Sequence, residues 1–131
     1  MITETQFIIY IENQQESAVF YSKLLQLEAT LNVPGMTEFT LPNKTKIGLM
    51  PNAGIAKIIT PALPNPQSGN GIPRCEIYLM VNDVEKYYTN ALAIGAKNIS
   101  APENRNWNHF VGYVADKDGH VIAFAKEINN Q

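Results

Sequence analysis

Two kinds of apolar pattern alternate along the chain. Gln6-Phe7-Ile8-Ile9-Tyr10-Ile11-Glu12 is β-branched and aromatic with almost no polar relief, as in a strand covered on both faces. Asn13 then sits three residues before Glu16, a capping-box spacing, and Ala18, Tyr21, Leu24 and Leu25 follow at helical intervals, predicting a helix over about 14–26. Three short strand-like runs come next, at 28–32, 36–41 and 45–50, separated by Pro34-Gly35 and Pro42-Asn43. Residues 75–81 resume the strand pattern. Asp83 caps a second helix carrying Val84, Tyr87, Tyr88, Ala91 and Leu92 on one face, and Gly95 stops it. A short strand at 97–100 precedes two apolar runs, over 107–126, folded about Asp116-Lys117-Asp118-Gly119, where Asp tolerates a tight turn and Gly supplies positive φ.

The two halves are in register. Gln6 and Glu76, Phe7 and Ile77, Ile9 and Leu79, Ile11 and Val81, and Asn13 and Asp83 are each 70 residues apart, while Phe20-Tyr21 matches Tyr87-Tyr88 at 67. A tandem of two strand-helix-strand-strand-strand modules follows, each too small to bury its own sheet face alone. The expected fold is α+β: one domain over 1–131, with module one at about 6–50, a linker or lid at 51–74 and module two at about 75–127. The middle segment holds five of the eight prolines, so Pro61 to Pro66 is expected to be extended. It serves either as a plain connector or as a cover for a cleft or a partner subunit.

Strand alternation assigns the faces. Phe7, Ile9 and Ile11 belong under the first helix and Ile77, Leu79 and Val81 under the second, leaving Gln6, Ile8, Tyr10 and Glu12, and Glu76, Tyr78 and Met80, on the opposite sides. Two such sheets side by side form a curved, partly closed cleft with the helices outside, a natural small-molecule site. Glu76, a carboxylate opening an apolar strand, is expected to be partly desolvated, a state suited to proton transfer or to pairing with a cation. A strand-end Glu bonded to Gln6 or open to water is the plainer alternative.

Composition narrows the partners. With a net charge of -2 and a pI near 5.6, scattered Lys and Arg leave no footprint for nucleic acid. No segment reaches the roughly 20 apolar residues of a membrane span, and the N-terminus has no basic or long apolar leader, so a soluble cytoplasmic protein is expected. Cys75 is the one cysteine, which rules out an intramolecular disulfide and a thiolate-only zinc site. In an apolar strand on the helix side, it reads as an inert core thiol. His120, after the turn Gly, reads as serving the hairpin; His109 is the better functional candidate.

Trp107 followed by Asp116-x-Asp118-Gly119-His120 resembles the closing hairpin of the vicinal oxygen chelate superfamily, which includes glyoxalases, extradiol dioxygenases, epimerases and the bleomycin- and fosfomycin-resistance proteins. Asn13 through Phe20-Tyr21 is similar to the family's Asp/Asn-x(6)-Phe-Tyr helix start, and the likeness extends over residues 6–127. It implies the same curved-sheet cleft, and commonly a homodimer. In the family's metalloenzymes, His or Glu side chains from equivalent strands converge on one divalent ion. The matching positions here are Gln6, Gly48, Glu76 and Ala123, of which only Glu76 is a good ligand, so the chelating centre is expected to be lost and no cofactor is expected. Metal held at shifted positions through His109 or His120 is the alternative.

Three functions remain open, one of them a stand-alone domain of unknown ligand whose main role is assembly. Another is a metal-free binding protein, like the bleomycin-resistance branch, holding an aromatic or cationic small molecule. Its cleft would be lined by Gln6, Tyr10, Phe39, Met50, Tyr78, Met80, Trp107, His109 and Tyr113, with Glu76 as counter-charge. The third is a glyoxalase-type lyase, isomerase or thiol transferase with an atypical metal site or with Glu76 as its base.

Overall fold

A computed structural model describes residues 1–128. The chain divides into two compact units, one over Met1–Asn70 and one from Gly71 onward. The first contains β1 (Gln6–Ile11), α1 (Gln14–Leu25), β2 (Leu31–Val33), β3 (Met36–Thr40), β4 (Lys46–Pro51), α2 (Asn52–Ile59) and a 3-10 turn at Pro66–Gly69. The second contains β5 (Glu76–Met80), α3 (Val84–Ala93), β6 (Lys97–Asn104), β7 (His109–Ala115) and β8 (Val121–Glu127). Sheet orders are β1-β4-β3-β2 and β5-β8-β7-β6, so both units have one topology. In each, the first strand runs parallel to the last and the other neighbours are antiparallel. The fold is α+β, built from tandem βαβββ modules.

Local chemistry sets the boundaries of these elements. The Asn13 side chain accepts a hydrogen bond from the Glu16 N–H at 3.0 Å, satisfying a donor that the first turn of α1 leaves open. Gln26, in the left-handed region, ends that helix. Asp83 caps α3 in the same way through the Lys86 N–H at 3.1 Å.

The helix-facing side of each sheet is the core. In the first unit Ile9, Ile11, Phe39, Ile47 and Leu49 bury against Tyr21, Leu24 and Leu25 of α1. In the second, Ile122, Val114 and Phe124 lie beneath α3, with the Tyr87 and Phe124 rings 5.6 Å apart. Each large side chain so buried contributes about 1.5–3 kcal/mol of hydrophobic stabilisation.

Several expectations need correction. Residues 52–59 are helical rather than part of a structureless connector: Pro51 precedes the first turn, and Asn52 and Ile55 are buried on one side of α2. The 28–32 run pairs only from Leu31, and β6 continues to Asn104 with two register irregularities against β7. Phe39 is fully buried on the helix-facing side, because it pairs with Ile47 and shares that residue's direction, so it packs the core and does not line the open face. Phe7 points to the same side as Ile9 but is 66% exposed, so α1 shields only the later part of β1. Cys75 precedes β5 at the surface, an exposed residue whose thiol is only partly covered, and is not a core thiol. Among the described residues, no helix is long and apolar enough to cross a membrane.

Candidate ligand-binding site

In the second unit the strand register assembles a face opposite α3. Tyr78, Ala123 and Tyr113 form one row across β5, β8 and β7, and Met80, Ala125 and Val111 form the next. Val111, Ala123 and Ala125 form a buried apolar floor, and Tyr113 packs against it. On β8, between the strands that carry Tyr78 and Tyr113, the residues of this face are small, Ala123 and Ala125.

The turn from β6 to β7 brings Trp107 to this face. Arg105 N–H donates to the His109 carbonyl at 2.8 Å and Asn108 N–H to the Arg105 carbonyl at 3.2 Å, closing a tight turn. Asn108 takes the left-handed conformation, φ 66°, which Asn tolerates better than most side chains. The Trp107 indole N–H then donates to the Tyr78 hydroxyl at 2.9 Å, and that hydroxyl lies 2.7 Å from His109 Nδ1. The Tyr78 and His109 rings are 5.8 Å apart. Three expected site residues, separated by up to 31 positions in sequence, are thereby joined in one chain of hydrogen bonds.

Arg105 was not singled out from the sequence, yet it braces this side of the unit. Its guanidinium donates to the Val111 carbonyl at 2.9 Å, to Ser100 Oγ at 3.0 Å and to the Ala101 carbonyl at 3.1 Å, and it pairs with Glu103 at 2.9 Å. These bonds bind the irregular part of β6 to β7. The same cation lies 5.2 Å from the centre of the Tyr113 ring. The only sequence signal was an Arg two residues before the Trp.

Electrostatics connect the remaining groups. Burial pushes the Tyr113 phenol up; Glu76 and Tyr78 act in the same direction, and Arg105 opposes them. Tyr113 is therefore held as a neutral hydrogen-bond donor near the Glu76 carboxylate. Glu76 itself is exposed, so the desolvation expected of it is absent.

Gln6, Tyr10 and Met50 belong to the open face of the first unit. There the Gln6 side-chain nitrogen is buried without a hydrogen-bond partner, and it lies 2.5 Å from where a Cβ on Gly48 would stand, next to Ile8 and Met36. The space that a ligating side chain at position 48 would need is filled by an amide, and an amide is a poor donor for a transition metal. Ala123 supplies no donor. Among the described residues no three His, Cys, Asp or Glu side chains cluster so as to hold a metal ion. The residues at these positions do not fit the divalent ion of the superfamily's metalloenzymes.

His120 lies elsewhere, 2% exposed beneath the β7–β8 turn, with Nδ1 3.7 Å from Cys75 Sγ and Nε2 3.4 Å from an Arg74 nitrogen. Burial pushes the Cys75 thiol up, Arg74 pulls it down and Asp116 pushes it up. A thiol so placed is a poor nucleophile near neutral pH.

Comparison with known proteins agrees with the fold. A glyoxalase-related enzyme from Fulvimarina pelagi superposes with a TM-score of 0.81 at 17% identity, over 97% of this chain and 89% of that one. A glyoxalase/bleomycin resistance protein/dioxygenase family enzyme from Burkholderia phytofirmans gives 0.80 at 16%, over 96% and 100%. Protein ATC0852 from Agrobacterium tumefaciens gives 0.77 at 24%, over 98% and 100%. Curated protein sequences yield no significant match. The profile of one family covers residues 5–124, nearly the whole chain, and with the tandem βαβββ modules it establishes that the chain belongs to the glyoxalase/bleomycin resistance protein/dioxygenase superfamily.

Proposed function

We propose that the open face of the second unit binds a small aromatic molecule, with Glu76 as counter-charge where the molecule is cationic, and that it does so without a chelated metal. One observation carries the reading. Tyr113 packs on the Val111, Ala123 and Ala125 floor, Tyr78, Trp107 and His109 are linked on the same face and Met80 stands in the next row, while of the family's metal positions Gln6, Gly48, Glu76 and Ala123 only one is a carboxylate. Aromatic and thioether side chains around an apolar floor favour planar ligands, and a carboxylate at the rim adds preference for positive charge.

Phenethylammonium is a direct probe. Trp107 is the one tryptophan of the chain and is 49% exposed, so its fluorescence reports occupancy of this face. Binding should quench that emission, and ligand at about 100 times Kd should raise the unfolding free energy by roughly 2.7 kcal/mol. Glu76→Gln should weaken the cation by up to about fivefold, the range of an exposed ion pair. Absence of quenching and of thermal shift at millimolar probe, or stoichiometric nickel, zinc or manganese in protein purified without chelator, would overturn the reading.

A further inference from the structure

The chain of hydrogen bonds at the Trp107 end fixes more than side-chain positions. An indole N–H only donates, so the Tyr78 hydroxyl accepts from Trp107 at 2.9 Å. The hydroxyl has one proton of its own, and His109 Nδ1 lies 2.7 Å away, a length typical of a strong O–H donor bond. If Tyr78 donates that proton to Nδ1, the nitrogen is the acceptor and the neutral imidazole carries its proton on Nε2; a donating Nδ1–H would instead leave the Tyr78 proton to solvent.

We propose that His109 presents this Nε2–H as a hydrogen-bond donor for an acceptor oxygen of the ligand, so that the molecule taken at this end of the face is an aromatic carbonyl or carboxylate compound. The proposal rests on the reading above that the face binds an aromatic molecule, and it adds the polar group that molecule must bear. Two features support it. Trp107 occupies one lone pair of the Tyr78 hydroxyl, which favours donation of the Tyr78 proton to Nδ1, as an orienting second partner sets the free nitrogen of a working histidine. Trp107 and His109 also bond the same Tyr78 hydroxyl, so the half-exposed indole offers an aromatic ring a surface near the imidazole. Glu76, by contrast, opens β5 at the Tyr113 end, so a cation and an acceptor oxygen are read by different ends of one face.

Three probes that share a phenyl ring separate these roles: phenylacetamide, phenylacetate and phenethylammonium, each titrated against the full chain by Trp107 fluorescence. His109→Phe keeps a ring at that position and removes the donor, so Kd for the amide and the carboxylate should rise about five- to tenfold more than Kd for the cation, the value of one hydrogen bond. Tyr78→Phe, which frees the imidazole to change tautomer, should weaken the amide by about threefold without touching the ring contacts. Independently of any ligand, nitrogen NMR of His109 in its neutral form should show a protonated Nε2 and a bare Nδ1. The opposite tautomer overturns the inference. So does an amide affinity indifferent to His109. If phenethylammonium binds through Glu76 while the two acceptors ignore His109, the binding face stands and this inference fails. If none of the three binds, the binding reading fails and the ligand class fails with it.

Discussion

The two units share a topology but use it differently. Their helix-facing sides are built alike, from aliphatic and aromatic strand side chains packed under one helix. Their open faces differ. In the first unit Gln6 folds its amide over Gly48 among Ile8 and Met36, with no hydrogen-bond partner for the buried nitrogen. In the second, Trp107, Tyr78 and His109 are linked donor to acceptor, and Arg105 braces the strand beside them. The turns before the last strands differ too. Asn43 accepts one bond, from the Thr45 N–H, in an exposed turn, whereas the Asp116 carboxylate, itself buried, accepts from both the Asp118 and His120 N–H groups. A repeat keeps what holds a sheet to its helix, and leaves the other face free to diverge.

If the cores are equivalent, truncation should cost both units alike. Phe39→Ala and Phe124→Ala each remove a fully buried ring and should destabilise by about 3–5 kcal/mol in urea unfolding. A loss under about 1 kcal/mol for either would break the equivalence.

The turns should then separate the units. Asp116→Ala leaves two buried N–H groups without their acceptor and should cost about 2–4 kcal/mol, while Asn43→Ala in the exposed turn should cost under about 1 kcal/mol. Glycines sharpen the same contrast. A Cβ on Gly119, at φ 91°, would stand 2.8 Å from the Gly71 backbone, so Gly119→Ala should cost about 2–4 kcal/mol. At Gly48 the obstacle is the end of the flexible Gln6 side chain, which can turn away, and Gly48→Ala should cost about 1 kcal/mol or less. Equal losses at the two glycines would show that the first unit's open face is as rigid as the second unit's turn.

These contrasts mark what the sequence made legible. The tandem repeat, both helix caps and the closing hairpin follow from spacing and turn chemistry, because local hydrogen bonds determine them. Helix α2 was obscured by its setting: Pro51, Pro61 and Gly54 read as loop, although Ile55, Ile58 and Ile59 keep a helical spacing. Phe39 was misplaced because so short a run can be read in either phase, and only pairing with Ile47 fixes which way it points. Membership of the Tyr78–His109–Trp107 chain was not legible at all. The residues were candidates one by one, but their contact depends on register across three strands and on the left-handed Asn108.

The smallest expected effect concerns Cys75, which lies just before Glu76 but outside the aromatic cluster. Partial burial of the thiol raises its pKa, and Asp116 adds to that, so the thiolate fraction at neutral pH is smaller than for a free cysteine, despite the pull of Arg74 in the other direction. Alkylation by iodoacetamide should therefore be slower than that of a small free thiol at the same pH, and its rate should level off at higher pH. Arg74→Gln removes the one opposing charge and should move that profile further upward. His120 is held by its backbone bond to Asp116 and should stay in place, so the shift reflects charge rather than collapse of the turn. Because Cys75 stands apart from the ring cluster, blocking it should leave phenethylammonium binding within about twofold, a change under roughly 0.5 kcal/mol. A block that abolished binding would extend the site across the start of β5, and would draw the Cys75–His120 corner into the face that the aromatic residues define.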